Sequence, residues 1–334
     1  MSLLEIFKKI EEPVNEASFL YKINNCFIEE EKEVRWIFRG QKKTDKKDKP
    51  DNEKPLITSL EKAIDSFGID IKHAPELELG LLRKFKRHGP IYLKNIPVFY
   101  DYMGWFSLMQ HYGAPTRLQD WTYSFYVAVY MAINEMEDNA EVWAINTYYI
   151  ERSAINILKK KAKFKNKSDE EIKKIIRNDS CAFIPEIFKD VFMNDRLPFV
   201  LPMNPHSLNE RLIIQQGIFL CPGDVSKPFY ENLFATFSDN DGLIEKNLLN
   251  KNYIRRFNIT NNLEEKKKIL QHLHRMNMNN ATLFPGLSGF SESLRTLLAF
   301  PLKEDGGMLA LTPEFVNEYL YSTIKCNYKD IAEK

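Results

Sequence analysis

Hydrophobic spacing divides the chain into a series of helices and strands. Leu4, Phe7 and Ile10 recur at helical intervals, so residues 1–30 are expected to be an N-terminal helical segment. Over Glu33–Gly40 the period shortens. Val34, Trp36 and Phe38 alternate with Arg35, Ile37 and Arg39, which is the pattern of a strand. Helical spacing returns over Glu61–Arg87, and Tyr102, Trp105, Met109 and Tyr112 mark one face of a further helix within Tyr100–Tyr112. Gly113 can take the positive φ that ends that helix, and Pro115 blocks its direct resumption. From Tyr123 to Ile133 nearly every position is apolar, which predicts a helix buried on all sides. Ala140–Asn146, Glu210–Cys221 and Lys251–Thr260 read as strands. Gly217 inside the second of these suggests a bulge or a close approach. Asn262 is expected to cap a helix ending near His272 and His274, and Thr312-Pro313 opens a last one.

Two stretches depart from this texture. Gln41–Pro55 is rich in lysine and has almost nothing apolar to bury, so it reads as a solvated, mobile loop. Residues 150–202 hold a lysine-rich helix opened by the capping box Ser168-Asp169-Glu170-Glu171, followed by a loop with Pro and Phe. That stretch is expected to be a helical insertion in an α+β domain spanning 31–300, with residues 301–334 as a C-terminal helix packed on it.

Composition narrows the class. The chain has 334 residues, 44% of them hydrophobic, enough for a large core. A net charge of +1 argues against a dedicated nucleic-acid surface, although local basic patches remain open. Cys26, Cys181, Cys221 and Cys326 are scattered without metal-site spacing, and reduced thiols in a cytoplasmic protein account for them most simply. The start lacks a signal-peptide core and no apolar run approaches a membrane span, so no membrane partner is expected.

Three polar clusters lie at the ends of apolar elements. They are Arg39 with Gln41; His111, Thr116, Arg117 and Asp120; and Glu210, Arg211, Gln215 and Gln216. Converging guanidinium groups suit an anionic ligand, because their planar forks bind phosphate oxygens in pairs. A nucleotide or dinucleotide is the natural candidate. Neither GxGxxG nor GxxxxGK[ST] occurs, and GxSxG and HExxH are also absent. The bland alternative is that Arg117 and Asp120 are simply a structural ion pair at a helix start. His272 and His274, two positions apart, point to different helix faces and read as surface residues, so no metal site is expected.

These residues carry a family resemblance. Phe38-Arg39-Gly40-Gln41 resembles the early-strand motif of FRG domains, and Gln110–Thr122 resembles their central block QHxGxPTRLxDWT. Arg211, Gln215, Gly217 and Phe219 are similar to a later R-x-x-x-Q-x-G-x-F element, and Leu283–Leu287 to a closing LFP segment. The layout is similar, more loosely, to that of ADP-ribosyltransferases. That likeness implies a split or mixed central sheet flanked by helices, with NAD bound between two small sheets. It implies that Arg39 grips NAD, with Gln41 beside it, and that Thr116, Arg117 and Trp121 support the nicotinamide ribose. The late strand would place Arg211, Gln215 and Gln216 against the ligand. Glu210 or Asp120 must then supply the catalytic carboxylate, since a glutamine carries no charge. The resemblance implies an NAD-dependent transferase or glycohydrolase, as a bacterial toxin or an anti-phage defence effector acting on a protein or nucleic-acid target. The alternatives are a nucleotide- or nucleic-acid-binding module without turnover, or a nuclease with His111 as base. Three consequences follow for single residues: Arg39, Arg117 and Arg211 share one cleft, Asp120 pairs with Arg117, and Glu210 points away from Arg211 and Gln215.

Overall fold

The computed structural model describes residues 11–14, 20, 23–24, 27, 36–42, 56–134, 139–177, 188–205, 209–237, 253–259 and 262–300. The helix expected around Leu4–Ile10, residues 33–35, the lysine tract beyond Lys42 and the helix expected at Thr312 lie outside them. The chain forms two compact units, residues 1–266 and 267–334.

The first unit is a mixed α+β structure. Its seven-stranded sheet contains β1 (Glu11–Val14), β2 (Trp36–Lys42), β3 (Gln119–Thr122), β4 (Ala140–Asn146), β5 (Val200–Met203), β6 (Gly217–Pro222) and β7 (Ile254–Ile259), in the order β1-β7-β4-β2-β3-β6-β5. β1 is a strand where helix was expected. It runs parallel to β7 at the sheet edge, where Pro13 can lack an N–H without breaking a ladder. Arg255 grips Glu12 across this pair with two bonds, at 3.0 and 3.2 Å. The remaining pairs are antiparallel. β2 matches β4 over seven residue pairs, yet meets β3 only at Phe38 opposite Thr122. The two strands therefore part beyond that rung.

Helices cover both faces. They are α1 (Ser59–Ser66), α2 (Ala74–Tyr92), α3 (Tyr102–His111), α4 (Phe125–Ile133), α5 (Thr147–Lys159), α6 (Asp169–Arg177), the short α7 (Glu210–Ile214) and α8 (Phe229–Phe237). On one face Ile37, Trp143, Ile145, Trp121 and Ile218 pack against Phe229, Leu233 and Phe237 of α8. On the other, Phe38 meets Phe125 edge to face at 5.5 Å, and Phe219 and Cys221 join a core with Phe106 and Met109 of α3. α4 is apolar all round and buried at seven of its nine positions, as the unstriped pattern predicts. Gly40 lets it lie directly on β2, because a Cβ there would overlap the Ala128 carbonyl oxygen.

Residues 150–202 contribute to this same core. Ala154, Leu158, Phe164, Ile172, Phe188 and Phe192 pack with α3 and β6, and a π-helical turn over Phe188–Asn194 carries two of them. The Ser168 capping box forms as its sequence implies, with Glu171 N donating to Ser168 Oγ and Ser168 N to Glu171 Oε2.

In the second unit the described residues form the end of α9 (Leu263–Arg275), then α10 (Asn280–Leu283) and α11 (Leu287–Leu297). His272 is exposed as expected, whereas His274 is half-buried with its ring 5.3 Å from that of Phe300.

Candidate functional site, a cleft where the sheet opens

The gap between β2 and β3 is the floor of a cavity of about 200 Å³. Its walls come from α3, α4, α7 and the start of β6, and its polar lining includes Arg39, Gln110, His111, Asp120, Arg211 and Gln215. Phe38, Gly40, Met131 and Phe219 supply apolar surface.

Arg39 spans the opening. Its Nη1 donates to the main-chain oxygen of Asp120 at 2.6 Å and its Nε to Gln41 Oε1 at 3.3 Å. Nη2 makes no bond among the described residues. Burial lowers the Arg39 pKa, opposed by the charges of Asp120 and Glu141. Gln41 does not line the cleft. It donates to the buried Glu141 at 2.6 Å, and Glu141 also accepts from Trp143 and Arg256. Gln41 thus ties Arg39 to a buried polar network.

Asp120 is exposed, and its Oδ2 accepts from Gln110 Nε2 at 2.9 Å. The orientation of that amide is fixed from behind. Gln110 Oε1 accepts from Thr116 Oγ1 at 2.5 Å and from Ser59 Oγ at 3.2 Å, so its amino group must face Asp120. His111 stands at the end of α3. Burial, and then the charge of Arg211, lower its pKa and favour the neutral imidazole.

Arg117 does not reach the cleft and does not pair with Asp120. It is 2% exposed and makes a bidentate bond with the fully buried Glu78 of α2. Its Nη1 donates to the carbonyls of Phe192 and Pro222, and its guanidinium lies over the rings of Phe106 and Phe188. Burial alone would lower the Arg117 pKa, but Glu78 overrides it and the pKa is raised. Arg117 is therefore a pin of the core, and the shared cleft of three arginines reduces to Arg39 and Arg211. Thr116 is fully buried and acts through Gln110.

Glu210 also falls elsewhere. The stretch expected as one strand begins as α7, because the Asn209 side chain accepts from Leu212 N and starts a helix. Gln216, at φ 48°, then turns the chain into β6. Glu210 and Gln216 are exposed and do not line the cleft, while Arg211 and Gln215 do. Trp121 lines it at its inner side and is bonded through Nε1 to Gln119. Among the described residues Asp120 is thus the one carboxylate in the lining. Sequence reading passed over Gln110, whose position opens the central block and offers the only signal. It also passed over Glu78, which has none. Among the described residues no group of His, Cys, Asp and Glu could hold a metal ion.

Residues 34–141 match the model of a known family, the FRG domain. The chain carries an FRG domain. No curated protein and no solved structure gives a significant match. The FRG segment supplies Arg39, Gln110, His111 and Asp120, whereas Asn209, Arg211 and Gln215 reach the cleft from beyond it.

Proposed function

We propose that the cleft binds a nucleotide of the NAD type and that Asp120 is the carboxylate presented to its glycosidic bond. The observation that carries this reading is the lining itself. Among the described residues two guanidinium groups, an imidazole held toward its neutral form and one carboxylate surround a small cavity with apolar walls. Arg39 and Arg211 suit phosphate oxygens, and Phe38, Met131 and Phe219 suit a planar ring. At about 200 Å³ the cavity accepts one end of a dinucleotide, the rest lying along the open mouth.

In the hydrolytic form of the reaction the C1′–N bond breaks and its electron pair leaves with nicotinamide. Positive charge develops at C1′ opposite Asp120, whose carboxylate stabilises it. A water oxygen then bonds to C1′, and its proton passes to solvent or to the neutral His111. In the transferase form a nucleophile of a target macromolecule takes the place of water. A defence or toxin role would follow from either, since both consume or redirect NAD.

The test is full-length protein with NAD, read by calorimetry for binding and by chromatography for nicotinamide release. Asp120→Asn is expected to keep binding and lose about 10²–10³ in turnover, the size seen when one stabilising group is removed. Binding by wild type with no release under any condition would reduce the cleft to a nucleotide-binding module. Absence of both would end the NAD reading.

A further inference from the structure

The end of α2 and the segment after it expose an unusual amount of apolar surface. Ile91, Tyr92, Ile96, Val98, Phe99 and Tyr100 are all exposed, Tyr92 at 82% and Val98 at 72%. Isolated exposed apolar side chains need no explanation, but six within ten residues form the kind of patch that marks an interaction site. The segment is held in place. Lys86 Nζ donates to the Phe99 carbonyl at 2.7 Å and lies over the rings of Phe99 and Tyr102, and Trp105 Nε1 donates to Val98 O. The apolar side chains therefore point outward from an anchored segment.

Every charged side chain within the segment Arg83–Tyr100 is basic, Asp101 standing at its end. Arg83, Lys84, Lys86, Arg87 and Lys94 lie in or beside it, and no acidic residue occurs between Glu78 and Asp101. In a chain of net charge +1 this is a strong local excess. We propose that the segment from Arg83 to Tyr100 is a docking surface for an anionic lipid bilayer. The isoleucines and Val98 would enter the acyl boundary, Tyr92 and Tyr100 would sit at headgroup level, and the lysines and arginines would meet lipid phosphates. No helix among the described residues can cross a membrane, so the contact is peripheral. Single-stranded nucleic acid also favours basic surfaces with aromatic rings, but it needs open ring faces. Here Lys86 covers Phe99, Tyr100 stands edge-on to it at 5.1 Å, and half the patch is aliphatic.

The experiment is co-sedimentation of the full chain with vesicles of phosphatidylcholine alone or mixed equally with phosphatidylserine. Wild type is expected to sediment with the mixed vesicles only, and less as salt rises. The triple change Ile91→Ser, Tyr92→Ser and Val98→Ser should reduce sedimentation to background. Lys84→Glu with Arg87→Glu should weaken it by roughly thirtyfold or more, at about one lipid contact per basic side chain. All five positions are exposed, so the melting temperature should stay at the wild-type value, and the charge variant tests the surface even if the serine variant folds poorly. Wild type that stays in the supernatant, or variants that sediment as well as wild type, would overturn the proposal. So would oligothymidylate that displaces the vesicles and loses binding in the same variants, which would give the surface to nucleic acid.

Discussion

Arg39 and Arg117 do opposite work. Every nitrogen of the Arg117 guanidinium is bonded to the protein, whereas Nη2 of Arg39 makes no bond among the described residues. Arg117→Ala should therefore destabilise the fold by about 3–5 kcal/mol, because the buried Glu78 would lose its partner. Chemical denaturation would measure this, and Glu78→Gln should be damaging for the mirror-image reason. The central block advertised an arginine that had to be paired, but its partner lies 39 residues away on another helix. Local spacing pointed instead to Asp120, three positions along. His111 offers a second residue-level test. Burial and Arg211 both favour its neutral form, so its NMR titration midpoint should fall below the ordinary 6.5. Arg211→Ala should raise that midpoint only in part, since burial is the larger cause. The sign for stability follows. The unfolded chain takes up the proton first, so this group costs stability as pH falls below 6.5 toward its folded value.

Among the elements, β2 and α4 depend most on a single atom's absence. Gly40→Ala would set a methyl group against the Ala128 carbonyl oxygen and the Ala132 nitrogen, both of them backbone. Neither neighbour can swing aside as a side chain would, and the expected loss is about 1–3 kcal/mol or more. A lowered melting temperature together with weakened ligand binding would confirm it, because the same contact forms part of the cleft floor. Elements with a long, clear period were legible in the sequence. α4, β4 and β7 stand close to where hydrophobic spacing placed them, and Gly113 has the positive φ expected of it, 78°. Short elements governed by one polar residue were not. The apolar run Leu212-Ile213-Ile214 suits a strand, yet the Asn209 cap decides for helix. β3 is four residues long and carries too little pattern to announce itself. The candidate site was legible as a set of residue types. Its membership was not, because Glu210 and Arg211 differ by one position and by a whole helix face.

Across the first unit, stretches far apart in the sequence meet. Glu11 lies opposite Arg256 in β1 and β7, so the sheet is completed only when both of these distant strands are in place. Such distant pairings make folding slow for the size of the chain. A chain starting at residue 15 would lose the buried Val14 and uncover the β7 edge, where Ile254, Phe257 and Ile259 are buried. Its melting temperature should fall by on the order of 5 °C, and light scattering should report association through the bare edge. Unchanged melting and a monodisperse solution would show that β1 is ornamental.

The solitary rung between Phe38 and Thr122 gives the sheet a mechanical character as well. A ribbon joined at one rung can twist there at little cost, much as a ladder flexes where its crosspieces are missing. A molecule gripping both Arg39 and Asp120 would stand in for the absent crosspieces. Its arrival should then be felt as stiffness on both sides of the seam. Amide deuterium uptake in β2 and β3 would slow together on binding, while the outer ladder between β4 and β7 would keep its own tempo.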